Sequence, residues 1–231
     1  MMKVKPLVSY LWQLVADGAY GGLLLGFTAV FVGYLTVWLP GPAAGLSLIG
    51  VEMGEWLKFF GVGARRDIFY LPPITLGLGL ALWTMRWDNG RWQSWAMRGL
   101  AIAVSLLAFP ALADLTGGAR QEYLLRVQLI GLVVVVAGLS GVGARWRETA
   151  VFDRLLPWLL LLLVGLVGGV LPIWYYVGEI RPYISQIIGV PIGVGPGLWF
   201  NTLGHLLIAL IALRQLLPTQ KGDATHRPLG I

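Results

Sequence analysis

The sequence predicts an all-α fold, a polytopic membrane protein with six transmembrane helices, and three observations carry that prediction. Of its residues 57% are hydrophobic and 12% are charged, with a mean hydropathy of +0.76, which is more apolar surface than a soluble domain of 231 residues can bury. The apolar residues gather into six runs of roughly 20, the length that crosses a ~30 Å hydrocarbon core. The eleven acidic residues all fall in connections or at the ends of runs, and none stands at the middle of one. Lipid offers no water to satisfy backbone amides, so runs of this kind must be helical.

Taken in order, the chain opens with a basic flank and an apolar stretch, as a signal peptide does. Gln13 and Asp17 interrupt that stretch, so the segment is expected to stay attached. Within it, PLVSYLWQLVA (residues 6–16) has Pro6 suited to a first helical turn and Leu7, Leu11 and Leu14 at helical spacing. It reads as a short N-terminal interfacial helix, or as the start of one long tilted first span. Spans are expected near residues 20–39, 68–87, 94–113, 123–143, 154–175 and 197–217, forming a single domain over 1–217. The polar, proline-containing stretch 218–231 is expected to be a disordered tail.

Pro72, Pro73 and Pro157 fall at the starts of spans, where a missing N–H costs least. Pro110 and Pro172 lie near the far ends of theirs and should bend or stop them. Gly18, Gly22 and Gly26, and again Gly165 and Gly169, recur every four residues. That spacing lets helix backbones approach closely where lipid removes the usual hydrophobic drive, although a chain with 32 glycines also produces such spacings by chance.

The first long connection carries SLIGVEMGEWLKFFG. On a helix over residues 46–60, Leu46, Ile49, Met53, Trp56, Leu57 and Phe60 share one arc while Ser47, Glu52, Glu55 and Lys58 share another. This predicts an amphipathic interfacial helix in the first outer loop, with Trp56, Met53 and Ile49 buried and the three charges in water. Glu55 and Lys58, three apart, can pair.

Topology follows from the basic residues. With the N-terminus cytoplasmic, the inner side holds Lys3, Lys5, Arg86, Arg91, Arg98, Arg145, Arg147, Arg154, Arg214, Lys221 and Arg227. The outer side holds Lys58, Arg65, Arg66, Arg120, Arg126 and Arg181, so the seventeen divide eleven against six. Both termini are therefore expected in the cytoplasm, in a bacterial-type plasma membrane. The net charge of +6 lies in short clusters between apolar runs and forms no continuous basic face, so nucleic acid is not an expected partner. The expected partners are the lipid bilayer and other membrane subunits.

The absence of Cys excludes disulfides, thiolate metal sites and a Cys nucleophile. With only His205 and His226, a bis-His haem inside the membrane or a zinc site is not supported, and no cofactor or metal is expected. No phosphate-cradling, zinc-protease or serine-hydrolase motif is present, so catalytic residues cannot be named and an enzyme is the less favoured class. Seven polar residues stand out. Glu52 and Glu55 with Lys58 form a solvated face, or turn the two carboxylates toward a cavity to bind a cation or move a proton, or make a docking surface for another subunit. Glu179 and Arg181, in the last long connection, are placed to meet headgroups or the first loop. Asn201 and His205, four apart in GLWFNTLGHLL, form the one strongly polar face inside a span and either bond across to neighbouring helices or contact a ligand. Three functions stay open: an accessory or assembly subunit of a membrane complex, a small permease or channel using Asn201 and His205 with Glu52 and Glu55, and an intramembrane enzyme acting on a lipid-linked substrate.

Overall fold

The computed structural model describes residues 18–42, 44–85, 87, 89–118, 120–142 and 155–217. The interfacial helix expected over residues 6–16 and the tail 218–231 lie outside them. The described chain is mostly helical, with two short strands and irregular connections, and its elements are α1 (Gly18–Tyr34), β1 (Val37–Leu39), β2 (Leu48–Ile49), α2 (Gly50–Trp56), α3 (Leu71–Thr84), α4 (Trp92–Ser105), α5 (Leu112–Thr116), α6 (Arg120–Val142), α7 (Leu156–Tyr175), α8 (Arg181–Ile188) and α9 (Pro196–Leu216).

Three helices are long and apolar enough to cross a membrane: α6 over Arg120–Gly141, the continuous Leu156–Ile188 helix that contains α7 and α8, and α9. The apolar α1 has 17 residues from Gly18, while α3 and α4 have 14 each, about 21 Å of helix at 1.5 Å per residue. These last two are shorter than the runs 68–87 and 94–113 that suggested them. A 3-10 turn over Gly63–Tyr70 precedes α3, and Leu106–Ala108 tightens the end of α4 ahead of Pro110, which stands outside any helix. Pro72 and Pro73 lie in the first turn of α3 and Pro157 in the first turn of α7, where no intrahelical donor is lost.

Helix α3 is the axis of the bundle. Residues Pro72 to Thr84 are buried almost without interruption, and α1, α4, α6 and α7 all pack on it. Helix α9 lies between α1 and α7. Glycines explain how closely these helices meet. A Cβ on Gly26 would stand 3.0 Å from the Gly204 carbonyl, and one on Gly165 would stand 2.8 Å from the His205 carbonyl. Gly22 and Gly169 also face neighbours at short range, whereas Gly18 meets nothing within 4 Å and plays no part in the seam. At the end of the bundle away from α2, the buried Arg98 pins α4 to α6, its Nε donating to Ser140 Oγ at 2.8 Å while its plane covers Trp95. Many apolar side chains point outward, Leu125, Val135, Leu139, Leu163 and Leu210 among them, which suits a hydrocarbon surround.

The other end carries a cap with its own apolar core. The first connection pairs β1 with β2 antiparallel, Val37 opposite Ile49 and Leu39 opposite Leu48, and the Gly195 amide donates to the Trp38 carbonyl at 2.8 Å. Helix α7 runs on through a π-helical turn, Tyr176–Ile180, into α8, and extended chain then returns to α9. Trp38, Met53, Leu57 and Phe69 from the first connection meet Tyr176, Ile180, Ile184 and Ile192 from the last in one buried cluster. Trp38, fully buried, donates its indole N–H to the Gly33 carbonyl at 2.8 Å and meets the Tyr34 and Phe69 rings edge-on.

The amphipathic helix expected over residues 46–60 is shorter. Strand pairing takes Leu48 and Ile49 before the helix can begin, and the chain turns from Leu57 to Gly61, leaving Gly50–Trp56 as α2. Gly61 and Gly63, with φ of 70° and 67°, adopt the left-handed conformation that ends the segment. Met53 is buried as expected, but Trp56 is 47% exposed and packs, with its ring tilted, against the still more exposed Phe59.

Candidate functional site

Two polar constellations result, one inside the bundle and one beneath the cap. Inside the bundle, Asn201, Thr202 and His205 lie on the buried face of α9, directed at α7 and α3. Pro172 has no N–H, so the Gly168 carbonyl lacks its helical donor four residues on. Asn201 Nδ2 supplies a donor from the next helix at 3.3 Å, and Thr202 donates to the Gly169 carbonyl at 3.4 Å. His205 Nδ1 lies 3.0 Å from the Asn201 carbonyl and Nε2 lies 2.9 Å from Thr75 Oγ1. A neutral imidazole satisfies both contacts, with Nδ1–H donating to the carbonyl and Nε2 accepting from the threonine hydroxyl. Both His205 and Asn201 are fully buried.

Replacing His205 with leucine is expected to lower stability only slightly, by about 0.6 kcal/mol, the average worth of an interhelical hydrogen bond in a membrane. Thr75 keeps the Leu71 carbonyl at 2.8 Å as an alternative acceptor. Thermal unfolding in detergent measures the change. Lost activity with an unaltered melting temperature would instead assign His205 a proton or a ligand.

Beneath the cap, charges from four segments converge. Glu55 of α2 accepts from the Tyr70 hydroxyl and from Lys58 Nζ at 2.5 Å, and its carboxylate lies 3.8 Å from Arg126. Lys58 also reaches Asp114 at 3.1 Å. Arg66 donates to Glu122 at 3.1 Å. Arg126, on α6, is 1% exposed, with its guanidinium carbon 3.8 Å from the Tyr70 ring centre and 5.0 Å from that of Tyr123. Glu52 stands apart, exposed, and accepts the Ile49 amide at 3.2 Å across the start of α2, so its local work is helix capping. Glu179 pairs with Arg65 at 2.9 Å between the two connections, and Arg181 Nε donates to the Ile192 carbonyl at 2.7 Å to hold the returning chain. Among the described residues no three metal-binding side chains come together.

No family model, curated protein or solved structure matches this chain. What the site can do therefore rests on its own residues.

Burial pushes the Glu55 carboxyl up, but the hydrogen bonds from Lys58 and Tyr70 and the Arg126 charge outweigh it and hold the group below the usual carboxylate range. Burial likewise works against the charged Lys58, and its acidic neighbours Glu55 and Asp114 more than reverse this and raise it. Burial raises the Asp67 carboxyl despite the nearby Arg126 and Arg66. The depressed Glu55 stabilises the fold fully above its ordinary pKa of about 4.3, and that contribution is lost as pH falls through the lower folded value. Glu55→Gln is thus expected to melt earlier than the parent at pH 7, by ~1 kcal/mol or less because the side chain is 47% exposed, and to match it in strong acid. A difference of equal size at both pH values would show that the charge is not what matters.

Of the seven residues singled out from the sequence, the structure brings Glu55 and Lys58 together, sets Asn201 beside His205, and leaves Glu52, Glu179 and Arg181 in separate local contacts. Sequence reading missed Tyr70, Asp114 and above all Arg126, which had counted only as an outer-loop charge. The signal was there, since Arg126 falls inside the apolar run 123–143. A charge one turn within a span is costly and calls for a partner.

Proposed function

We propose that this chain is a six-span membrane protein, with α1, α3, α4, α6, α7 and α9 as its spans and both termini cytoplasmic, serving as an accessory or assembly subunit of a membrane complex. The observation that carries this reading is the division of labour between the two constellations. Asn201 Nδ2, Thr202 and His205 bond α9 to α7 and α3, with Asn201 Oδ1 left without a partner, while the chemically varied surface is gathered on a folded cap. A permease using Asn201 and His205 would need that face open to water, and here Gly168 leaves no room for even a Cβ beside His205 Nε2, which would lie 2.3 Å away. The cap offers a partner an exposed aromatic pair, Trp56 and Phe59, and also carries the exposed Arg65–Glu179 ion pair.

The test is the native mass of the full chain extracted from its own membrane in mild detergent. A stoichiometric second chain is expected, and Trp56→Ala with Phe59→Ala should release it without unfolding the bundle. A lone protein that moves a solute across proteoliposomes would overturn the reading. Orientation is checked in the same preparation, because the chain has no Cys of its own. Phe59→Cys should react with an impermeant reagent from outside, and Lys221→Cys should not.

A further inference from the structure

Helix α6 packs on α3 and α4 through one face, on which Tyr123, Ile130, Val133, Ala137 and Ser140 are buried. Its opposite face is bare. Of the three helices long and apolar enough to cross a membrane, α6 is the least covered, with 28% of its span buried against 39% and 50%. That bare face carries Gln128. It lies eight residues on from Arg120, about 12 Å along the helix and within the apolar run 123–143, and it is exposed. Among the described residues no hydrogen bond reaches its carboxamide, and it is the one outward-facing amide or charge beyond the first and last turns of the spans. At this depth in hydrocarbon an unpaired amide costs several kcal/mol, so Gln128 calls for a partner that its own chain does not supply.

The surface around the amide is shaped to receive a helix. Leu124, Gln128, Gly131, Val135 and Gly138 follow one another at intervals of four, three, four and three, the spacing of a seam between two supercoiled helices. Leu124 and Val135 rise from this seam. Gly131 and Gly138 are hollows in it, and a Cβ on either would meet nothing within 4 Å, so neither serves the packing of its own chain as Gly26 and Gly165 do.

We propose that α6 is a self-association helix, and that two copies of this chain pair along this face with the two Gln128 carboxamides bonded to each other. Two properties select a second copy over a foreign helix. A carboxamide carries both a donor and an acceptor, so it is complementary to itself, which a carboxylate or an ammonium is not. Copies inserted with the same topology also hold Gln128 at the same depth, so a two-fold axis along the membrane normal brings the two amides together for reciprocal bonds. The seam is self-complementary in the same sense, with Leu124 and Val135 of one helix packing over the glycines of the other. This inference goes beyond the assembly role above: the cap takes the other subunit, and α6 takes a like chain.

The experiment is oxidative cross-linking of the full chain in its own membrane, for which the absence of Cys leaves a clean background. Val135→Cys should give a disulfide-linked pair of copies, whereas Leu163→Cys, exposed on α7, should not. In mild detergent the native mass should show two copies of this chain. Gln128→Leu should raise the Kd of the pair about eightfold, the factor that two average interhelical hydrogen bonds supply. Gly131→Leu with Gly138→Leu should abolish pairing without lowering the melting temperature of the single chain, because the added side chains meet no neighbour within it. Trp56→Ala with Phe59→Ala should release the other subunit and leave the copies paired, so the two readings fail separately. A single copy at every concentration, equal cross-linking from positions 135 and 163, capture of a different chain by Val135→Cys, an unchanged Kd in Gln128→Leu, or undiminished pairing in the double glycine variant would overturn the proposal.

Discussion

Trp38→Ala is expected to undo the cap while leaving the bundle folded. The indole is fully buried, bonds the Gly33 carbonyl through its N–H, and meets both Tyr34 and Phe69 edge-on. Removing a buried tryptophan of this kind costs about 3–5 kcal/mol, and the loss falls on the cluster that joins the two connections. Because the deeper core, built on Phe27, Leu80, Trp83 and Leu161, shares no side chain with the cap cluster, opening should be local. Amide hydrogen exchange reads the result. The amides of α2 and α8 should exchange much faster in the variant while those of α3 and α9 change little. Uniform acceleration across all four helices would show that cap and bundle unfold together.

Gly33→Ala should have an effect of comparable size for the opposite reason, an excess of volume. A Cβ there would lie 2.5 Å from the Asn201 amide nitrogen and 2.7 Å from the Gly197 carbonyl oxygen. Both are backbone atoms, so no rotamer change relieves the clash and α1 must move away from α9. Overpacking typically costs about 1–3 kcal/mol, and this case should reach the upper end. The control is Gly21→Ala on the same helix, where nothing lies within 4 Å. There alanine's better helix propensity should leave stability unchanged or raise it slightly. Thermal unfolding in detergent compares the two, and equal behaviour would dispose of the close-seam account.

How much of this was legible beforehand depends on the range of the interaction. The apolar runs mark where helices lie because hydropathy is a local property, and Pro72, Pro73 and Pro157 mark starts for a reason internal to one turn. The i, i+3 pair of Glu55 and Lys58 is equally local. What the sequence hides is the meeting of distant segments. Glu55 finds Arg126 and Tyr70 only because the first connection folds over the starts of α3 and α6. Nothing in the spacing of SLIGVEMGEWLKFFG announces a strand, since β2 exists by pairing with Val37–Leu39 across a turn. Trp56 was expected to be buried on the strength of a longer helix, and its exposure follows directly from the helix being cut short. The glycine seam was half visible. Gly22 and Gly26 take part, but the tightest position on that helix, Gly33, stands outside the four-residue repeat.

The bond from Asn201 to the Gly168 carbonyl makes two positions on different helices historically dependent on each other. Pro172 created the vacancy on that carbonyl, and only while proline remains does residue 201 need an amide. A lineage that replaces Asn201 first exposes an unsatisfied buried carbonyl, whereas one that replaces Pro172 first restores the N–H and frees position 201 to drift. The pair is therefore epistatic with a preferred order of loss. In an alignment of related chains, an apolar residue at 201 should be found only beside a residue other than proline at 172.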